Sequence, residues 1–187
     1  AEADFNIHKD INLIAGLRWD ATIFSKAGAY NPVVDNELGL RTDNQPTDFN
    51  NIQPRLQFTW TVNGNDKDIL KLGGGVFSSQ PHYYAQVNNI QTSGMLLGAI
   101  DVTGDNVPTP DFEGYREDPT TAPGVPEGET PFSTINAVSD EFEVPTTYKA
   151  NLNYTHFFDN GMYVGINALL SHTKNNYTYQ EANLADN

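Results

Sequence analysis

From Ile52 to Val62 the side chains alternate without a break. Ile52, Pro54, Leu56, Phe58, Trp60 and Val62 take the even positions, and Gln53, Arg55, Gln57, Thr59 and Thr61 the odd ones. Successive side chains of a β-strand point to opposite sides of a sheet, so a two-residue period predicts a strand with one apolar and one polar face. A helix would scatter these residues around its circumference. Asn63-Gly64-Asn65-Asp66-Lys67-Asp68 then supplies turn formers, and Ile69–Phe77 resumes the pattern with Leu70, Leu72, Gly74 and Val76 on one side. The pair is expected to form a long hairpin. Strands of soluble proteins usually run about 5 to 6 residues, whereas a strand crossing a bilayer at a tilt needs about 9 to 11. Strand length favours the second kind.

The same alternation recurs along the chain. Strands are expected near residues 3–8, 11–24, 52–62, 69–77, 146–157 and 162–175. In the second, Ile11, Leu13, Ala15, Leu17, Trp19, Ala21 and Ile23 oppose Asn12, Gly16, Arg18, Asp20 and Thr22, with Ile14 and Phe24 as exceptions. Near the end, Tyr148, Ala150, Leu152, Tyr154 and His156 oppose Thr147, Lys149, Asn151, Asn153 and Thr155; after a turn at Phe158-Asp159-Asn160-Gly161, Met162, Val164, Ile166, Ala168 and Leu170 share a face. Residues 25–51 and 78–145 show no sustained period and are expected to be long loops. The second holds eight of the eleven prolines, which leaves room only for short strands or a helical turn around Asn88–Val102.

Connections therefore alternate between short and long. In a compact soluble domain, loops of this size count against a strand assignment. In an outer-membrane barrel they are expected, with short turns on the periplasmic side and long loops outside. The fold expectation is all-β: an antiparallel up-and-down transmembrane β-barrel segment of about six strands with two long extracellular loops. Strands beginning at Ile11, Ile69 and Met162 then run outward, and those beginning at Ile52 and Thr147 run inward. So few strands cannot close around a useful lumen. Trp19, Trp60, Tyr148, Tyr154 and Tyr163 become candidates for aromatic girdles at the headgroups, or for core positions if the chain is instead a soluble sandwich. Arg18, Arg55, Lys71 and Lys149 fall on the polar face.

Composition narrows the function classes. A net charge of −14 argues against a nucleic-acid binder, which needs a basic stripe to displace counterions. A mean hydropathy of −0.50 and the lack of any apolar run near 18 residues exclude helical membrane spans, but not a barrel, whose polar lumen face dilutes the signal. With no cysteine, disulfides, thiolate metal sites and catalytic thiols are excluded. The N-terminal Ala1-Glu2-Ala3-Asp4 lacks the basic and apolar segments of a signal peptide, so the chain is read as mature or internal.

Gln53-Pro54-Arg55-Leu56-Gln57-Phe58-Thr59-Trp60, followed by Leu72-Gly73-Gly74-Gly75-Val76-Phe77, resembles the barrel of TonB-dependent outer-membrane receptors. The pattern PR-x-x-F-x-W with G-x-G-x-F is most similar to the Oar-like branch. The resemblance covers most of the expected strands and is weak through the loops. It implies a fragment of a barrel wall in the bacterial outer membrane, serving TonB-dependent import of a scarce ligand, or export in some relatives. The implied partners are the remainder of the barrel and its plug, the TonB–ExbB–ExbD complex, outer-membrane lipid and a surface lipoprotein. Plug, TonB box and terminal strand are not among these residues. Two alternatives stay open: a secreted soluble β-sandwich binding carbohydrate, and the wall of another large outer-membrane channel.

Candidate chemistry is sparse. Tyr83, Tyr84 and Tyr115 in the second loop are the candidate ligand contacts, because exposed tyrosines supply stacking surface; local packing is the alternative. Gly73-Gly74-Gly75 lacks the Gly-Lys-Ser/Thr of a phosphate loop. His8, His82, His156 and His172 have no paired ligand spacing, and Asp101-Val102-Thr103-Gly104-Asp105-Asn106 offers oxygens for calcium without the EF-hand pattern. No nucleophile–base set or placed acidic pair is visible. The expectation is a non-enzyme without cofactor, catalytic residue or metal.

Overall fold

The computed structural model describes residues 1–125, 127 and 131–182. It is mostly antiparallel β, a single six-stranded sheet with strand order following chain order. The strands are β1 (Glu2–His8), β2 (Ile11–Ile23), β3 (Thr47–Val62), β4 (Asp68–Ser78), β5 (Thr146–Phe157) and β6 (Tyr163–Lys174). Every neighbouring pair is antiparallel. The sheet is open, with β1 and β6 as its edges. Contacts divide the chain into a sheet unit (residues 1–23, 46–81 and 141–187) and a loop unit (24–45 and 82–140).

The register stacks side chains into rows that cross the whole sheet. Phe5, Leu13, Phe58, Leu72, Leu152 and Ala168 are successive partners, one from each strand. Directly beside them, and pointing to the other side, run Asn6, Asn12, Thr59, Lys71, Asn153 and Asn167. One row is wholly apolar and its neighbour wholly polar. A one-residue slip anywhere would mix them, so the alternation holds the register. Side-chain bonds reinforce the polar row: Asn12 Nδ2 donates to Asn6 Oδ1 at 3.2 Å, and Asn153 Nδ2 to Asn167 Oδ1 at 2.5 Å.

β3 begins at Thr47, inside the segment expected as loop up to residue 51. Its first residues, Thr47-Asp48-Phe49-Asn50-Asn51, carry no apolar alternation, and the pairing there is interrupted by a bulge opposite Asp20 and Thr22. Pairing with β2, and not hydropathy, makes them a strand.

Among the described residues the loop unit contains three short α-helices, α1 (Pro32–Leu38), α2 (Tyr83–Gln91) and α3 (Phe112–Glu117). α1 lies in the first expected loop and has a full set of end signals. The Asn31 side chain accepts from Val33 N at 3.0 Å and Val34 N at 3.3 Å, Pro32 opens the first turn, and Gly39 closes the helix with φ 65°. Within this unit the two loops are tied by buried polar side chains. Asn89 Nδ2 donates to Thr42 O at 3.0 Å and Asn136 O at 2.9 Å, while Asn89 Oδ1 accepts from Gly28 N at 3.1 Å. Asn31 Nδ2 donates to Ser93 O at 3.0 Å. Amides, which form several bonds at once, supplement a small apolar core here, in which Phe24 and Val34 are buried.

Candidate functional site

In the loop-side half of β3 exposure runs against hydropathy, whereas farther along Gln57 is exposed and Phe58 half-buried. Ile52, Leu56 and Trp60 are 57%, 53% and 37% exposed, whereas Asp48, Asn51 and Gln53 are 3%, 4% and 3% exposed. The buried polar groups are partly satisfied within the sheet unit. Asp48 Oδ2 accepts from Val144 N at 2.9 Å, and Gln53 Nε2 donates to Asp20 Oδ2 at 2.5 Å while its Oε1 accepts from Ser78 N at 3.2 Å. Leu17, Trp19, Leu72, Tyr148, Leu152, Ile166 and Leu170 extend the exposed apolar face across the other strands.

That face is about as large as apolar patches on soluble monomers become. Six strands about 4.8 Å apart and a height of eight residues at about 3.3 Å give an area on the order of 600 Å². The largest patch on a typical monomer is about 300–600 Å². A shallow hollow of about 840 Å³ lies where the small residues Ala15, Gly74 and Ala150 alternate with Leu56 and Leu170.

Aromatic residues lie near both ends of the face. Near the short turns, Trp60 and Tyr154 belong to one row, Ile11–Trp60–Leu70–Tyr154–Ile166. At the ends joined to the long loops stand Trp19, paired with Ile52, and Tyr148, paired with Val76. Two of the polar tips have partners: Trp19 Nε1 donates to Phe49 O at 2.8 Å and the Tyr154 hydroxyl to Asp68 Oδ1 at 2.6 Å. Tyr163 is exposed at the start of β6, its ring 5.9 Å from Phe157.

The opposite face carries Arg18, Arg55, Lys71 and Lys149. Arg18 Nε donates to Asp20 Oδ1 at 2.8 Å. Among the described residues Arg55, Lys71 and Lys149 have no carboxylate within ion-pair distance; Arg55 and Lys149 instead flank the ring of Phe77.

A crevice of about 510 Å³ opens at the strand ends that lead to the long loops, lined among others by Asn51, Gln53, Ser78, Glu143, Tyr148 and Lys174. Glu143 Oε1 accepts from Asn50 Nδ2 at 2.9 Å, and its Oε2 from Asn175 Nδ2. The amide atoms of Asn51 and the hydroxyl of Ser78 are buried with no hydrogen-bond partner among the described residues. Sequence reasoning missed this site. Its residues come from four separate stretches, and only the register brings them to one end.

The three tyrosines singled out from sequence sit on two helices of the loop unit. Tyr83 and Tyr84 open α2, and the Tyr84 ring lies 5.6 Å from His82. Tyr115 is on α3, edge-on to Phe112 at 6.3 Å, with its hydroxyl 3.4 Å from Thr109 O. No ring contact joins Tyr115 to the other two among the described residues. Gly73-Gly74-Gly75 lies inside β4, and Gly104–Asn106 forms a turn of 3-10 helix. Among the described residues no three His, Asp or Glu side chains cluster around a common point.

No protein-family model, curated protein or solved structure matches this chain.

Proposed function

We propose that this sheet is a section of the wall of a bacterial outer-membrane β-barrel, a TonB-dependent receptor of the Oar-like kind, and that it serves the passage of a scarce ligand. The observation that carries the proposal is the inverted exposure of the loop-side half of β3, with Ile52 and Leu56 outside and Asp48, Asn51 and Gln53 buried. In water that arrangement forfeits the hydrophobic driving force and desolvates polar groups as well. With hydrocarbon against the apolar face, the first of these costs vanishes.

Further support comes from the alternation of short and long connections, the aromatic residues near both ends of the apolar face, and strands long enough to span at a tilt. In this setting the unpaired edges of β1 and β6 adjoin neighbouring strands of the same wall, because an open edge in hydrocarbon costs several kcal/mol per unpaired group. Arg55, Lys71 and Lys149 then face the watery interior and the plug. TonB, ExbB and ExbD supply the energy.

Labelling of single cysteines tests the assignment, since these residues include no native cysteine. In washed outer membranes, Gln57→Cys should react with a small water-soluble maleimide and Leu56→Cys should not; a fluorophore at 56 should be quenched by spin-labelled lipid. Equal aqueous labelling at both positions, or recovery of the protein without detergent, overturns the proposal.

A further inference from the structure

We infer that the apolar face of the sheet holds a membrane lipid with a phosphoethanolamine head, its acyl chain in the hollow over Gly74 and Ala150 and its head in the crevice between Lys174 and Glu143. The inference rests on the membrane-wall reading. Two depressions lie on this face. The hollow of about 840 Å³ and the crevice of about 510 Å³ share Pro54, Val76 and Tyr148, so one adjoins the other toward the loop-side strand ends.

Missing side chains make the hollow. Ala15, Gly74 and Ala150 carry little or nothing above the backbone, while Leu56 and Leu170 stand between and beside them as walls. Crowding explains the glycines on either side but not Gly74. A Cβ at Gly73 would collide with Asn151 Oδ1 and one at Gly75 would lie 2.9 Å from Pro54 O, whereas at Gly74 the single contact within 4 Å is Lys149 O, at 3.3 Å. The bare backbone there opens onto the hollow.

The crevice differs in kind. Lys174 Nζ lies 5.4 Å from the centre of the Tyr148 ring, and among the described residues no carboxylate comes within ion-pair distance of it. Each oxygen of Glu143 accepts one amide N–H, from Asn50 and from Asn175, and keeps a further lone pair. One cation and one carboxylate held apart match a head that carries one charge of each sign, with phosphate on Lys174 and ammonium donating to Glu143. A head with phosphate alone would set its charge against Glu143. Trp19 and Tyr148 stand at the same end of the face, the depth at which aromatic rings and long lysine stems meet lipid headgroups.

A second copy of the chain fits less well. The apolar face, on the order of 600 Å², is smaller than the roughly 800 Å² per partner of a standard interface.

Native mass spectrometry of the whole membrane protein tests this, with phosphatidylethanolamine, phosphatidylcholine or phosphatidylglycerol added singly to the detergent-purified sample. Phosphatidylcholine has the same phosphate but a methylated nitrogen without N–H, and phosphatidylglycerol has no nitrogen. The phosphatidylethanolamine adduct should exceed each of the others about fivefold. Lys174→Gln should lower all three adducts and Glu143→Gln should erase the preference; both positions are exposed, so the sheet stays intact. Ala150→Phe should fill the hollow and reduce every adduct, and Asn167→Ala on the polar face should change nothing. Equal adducts of the three lipids overturn the inference, as does a preference that survives both Lys174→Gln and Glu143→Gln, or a dimer held by this face that excludes lipid. If Leu56→Cys resists aqueous maleimide and the three lipids still bind equally, only the lipid site falls. If Leu56→Cys labels as readily as Gln57→Cys, the membrane wall falls and the lipid site with it.

Discussion

Arg55 and Lys149, two strands apart, approach one aromatic ring: the guanidinium lies 5.5 Å and the ammonium 5.6 Å from the centre of Phe77. Between them in the row stands Gly75. A Cβ at Gly75 would come within 2.9 Å of Pro54 O and 3.1 Å of Arg55 Cβ, so the bare backbone there is what admits the arginine stem. Gly75→Ala is expected to lower folding stability by about 1–3 kcal/mol through overpacking. Phe77→Leu should cost less, about 0.5–1 kcal/mol for each exposed cation–ring attraction that the ring supplied. Urea unfolding in lipid vesicles measures both, and the order of the two losses is the check.

The two sides of β3 should respond oppositely to charge. On the proposed membrane-wall reading, Leu56→Arg is expected to cost about 2–4 kcal/mol near the bilayer midplane, and Gln57→Arg much less. The same vesicle assay reads the difference. Equal losses would place both side chains in one solvent.

Asn89 is the joint of the loop unit. It is 2% exposed, and Asn89→Ala would strand Gly28 N, Thr42 O and Asn136 O together. Each unsatisfied buried group costs about 1–3 kcal/mol, enough to open a unit that has little apolar core. Hydrogen exchange should accelerate at residues 28–42 and 89–93, while amides of β3 and β4 keep their protection. Loss of protection in the strands as well would show that the sheet depends on this joint.

Acid should loosen the same unit. The Arg41 guanidinium donates to both Asp43 oxygens, at 2.8 and 2.7 Å, and holds that carboxyl below its ordinary range. A depressed folded-state pKa means the stabilisation is complete above the unfolded value, about 3.9, and disappears as pH falls through the lower, folded value. Both side chains are partly exposed, so the effect is modest and salt-sensitive. Carbon-detected NMR titration of the Asp43 carboxyl should give a midpoint below that of a free aspartate, and Arg41→Met should raise it. An unchanged midpoint would break the pairing.

How much of this was legible in the residue order depended on whether a local period carried the information. Strand β5 covers Thr146–Phe157, where the alternation runs, and the hairpin turns fall at residues 63–67 and 158–162, against turn formers read at 63–68 and 158–161; Asp68 joins β4, and Met162 falls in the turn and not in the strand expected from it. The ends of α1 were equally written, in Asn31-Pro32 and Gly39, but no apolar period accompanied them, and periodicity alone passes over a seven-residue helix. The first residues of β3 had no local signal of any kind, since their strand geometry comes from pairing with Thr22 and Ile23.

By itself, then, the order of residues determined which side chains share a face, because a strand turns by half a circle per residue whatever surrounds it. Which six side chains form a row, which glycine makes room for Arg55, and how Asn51, Ser78, Glu143 and Lys174 reach a single crevice were decided only by the register between strands. Register depends on contacts between residues as far apart as Asp48 and Val144, and no local pattern encodes a relationship over that distance.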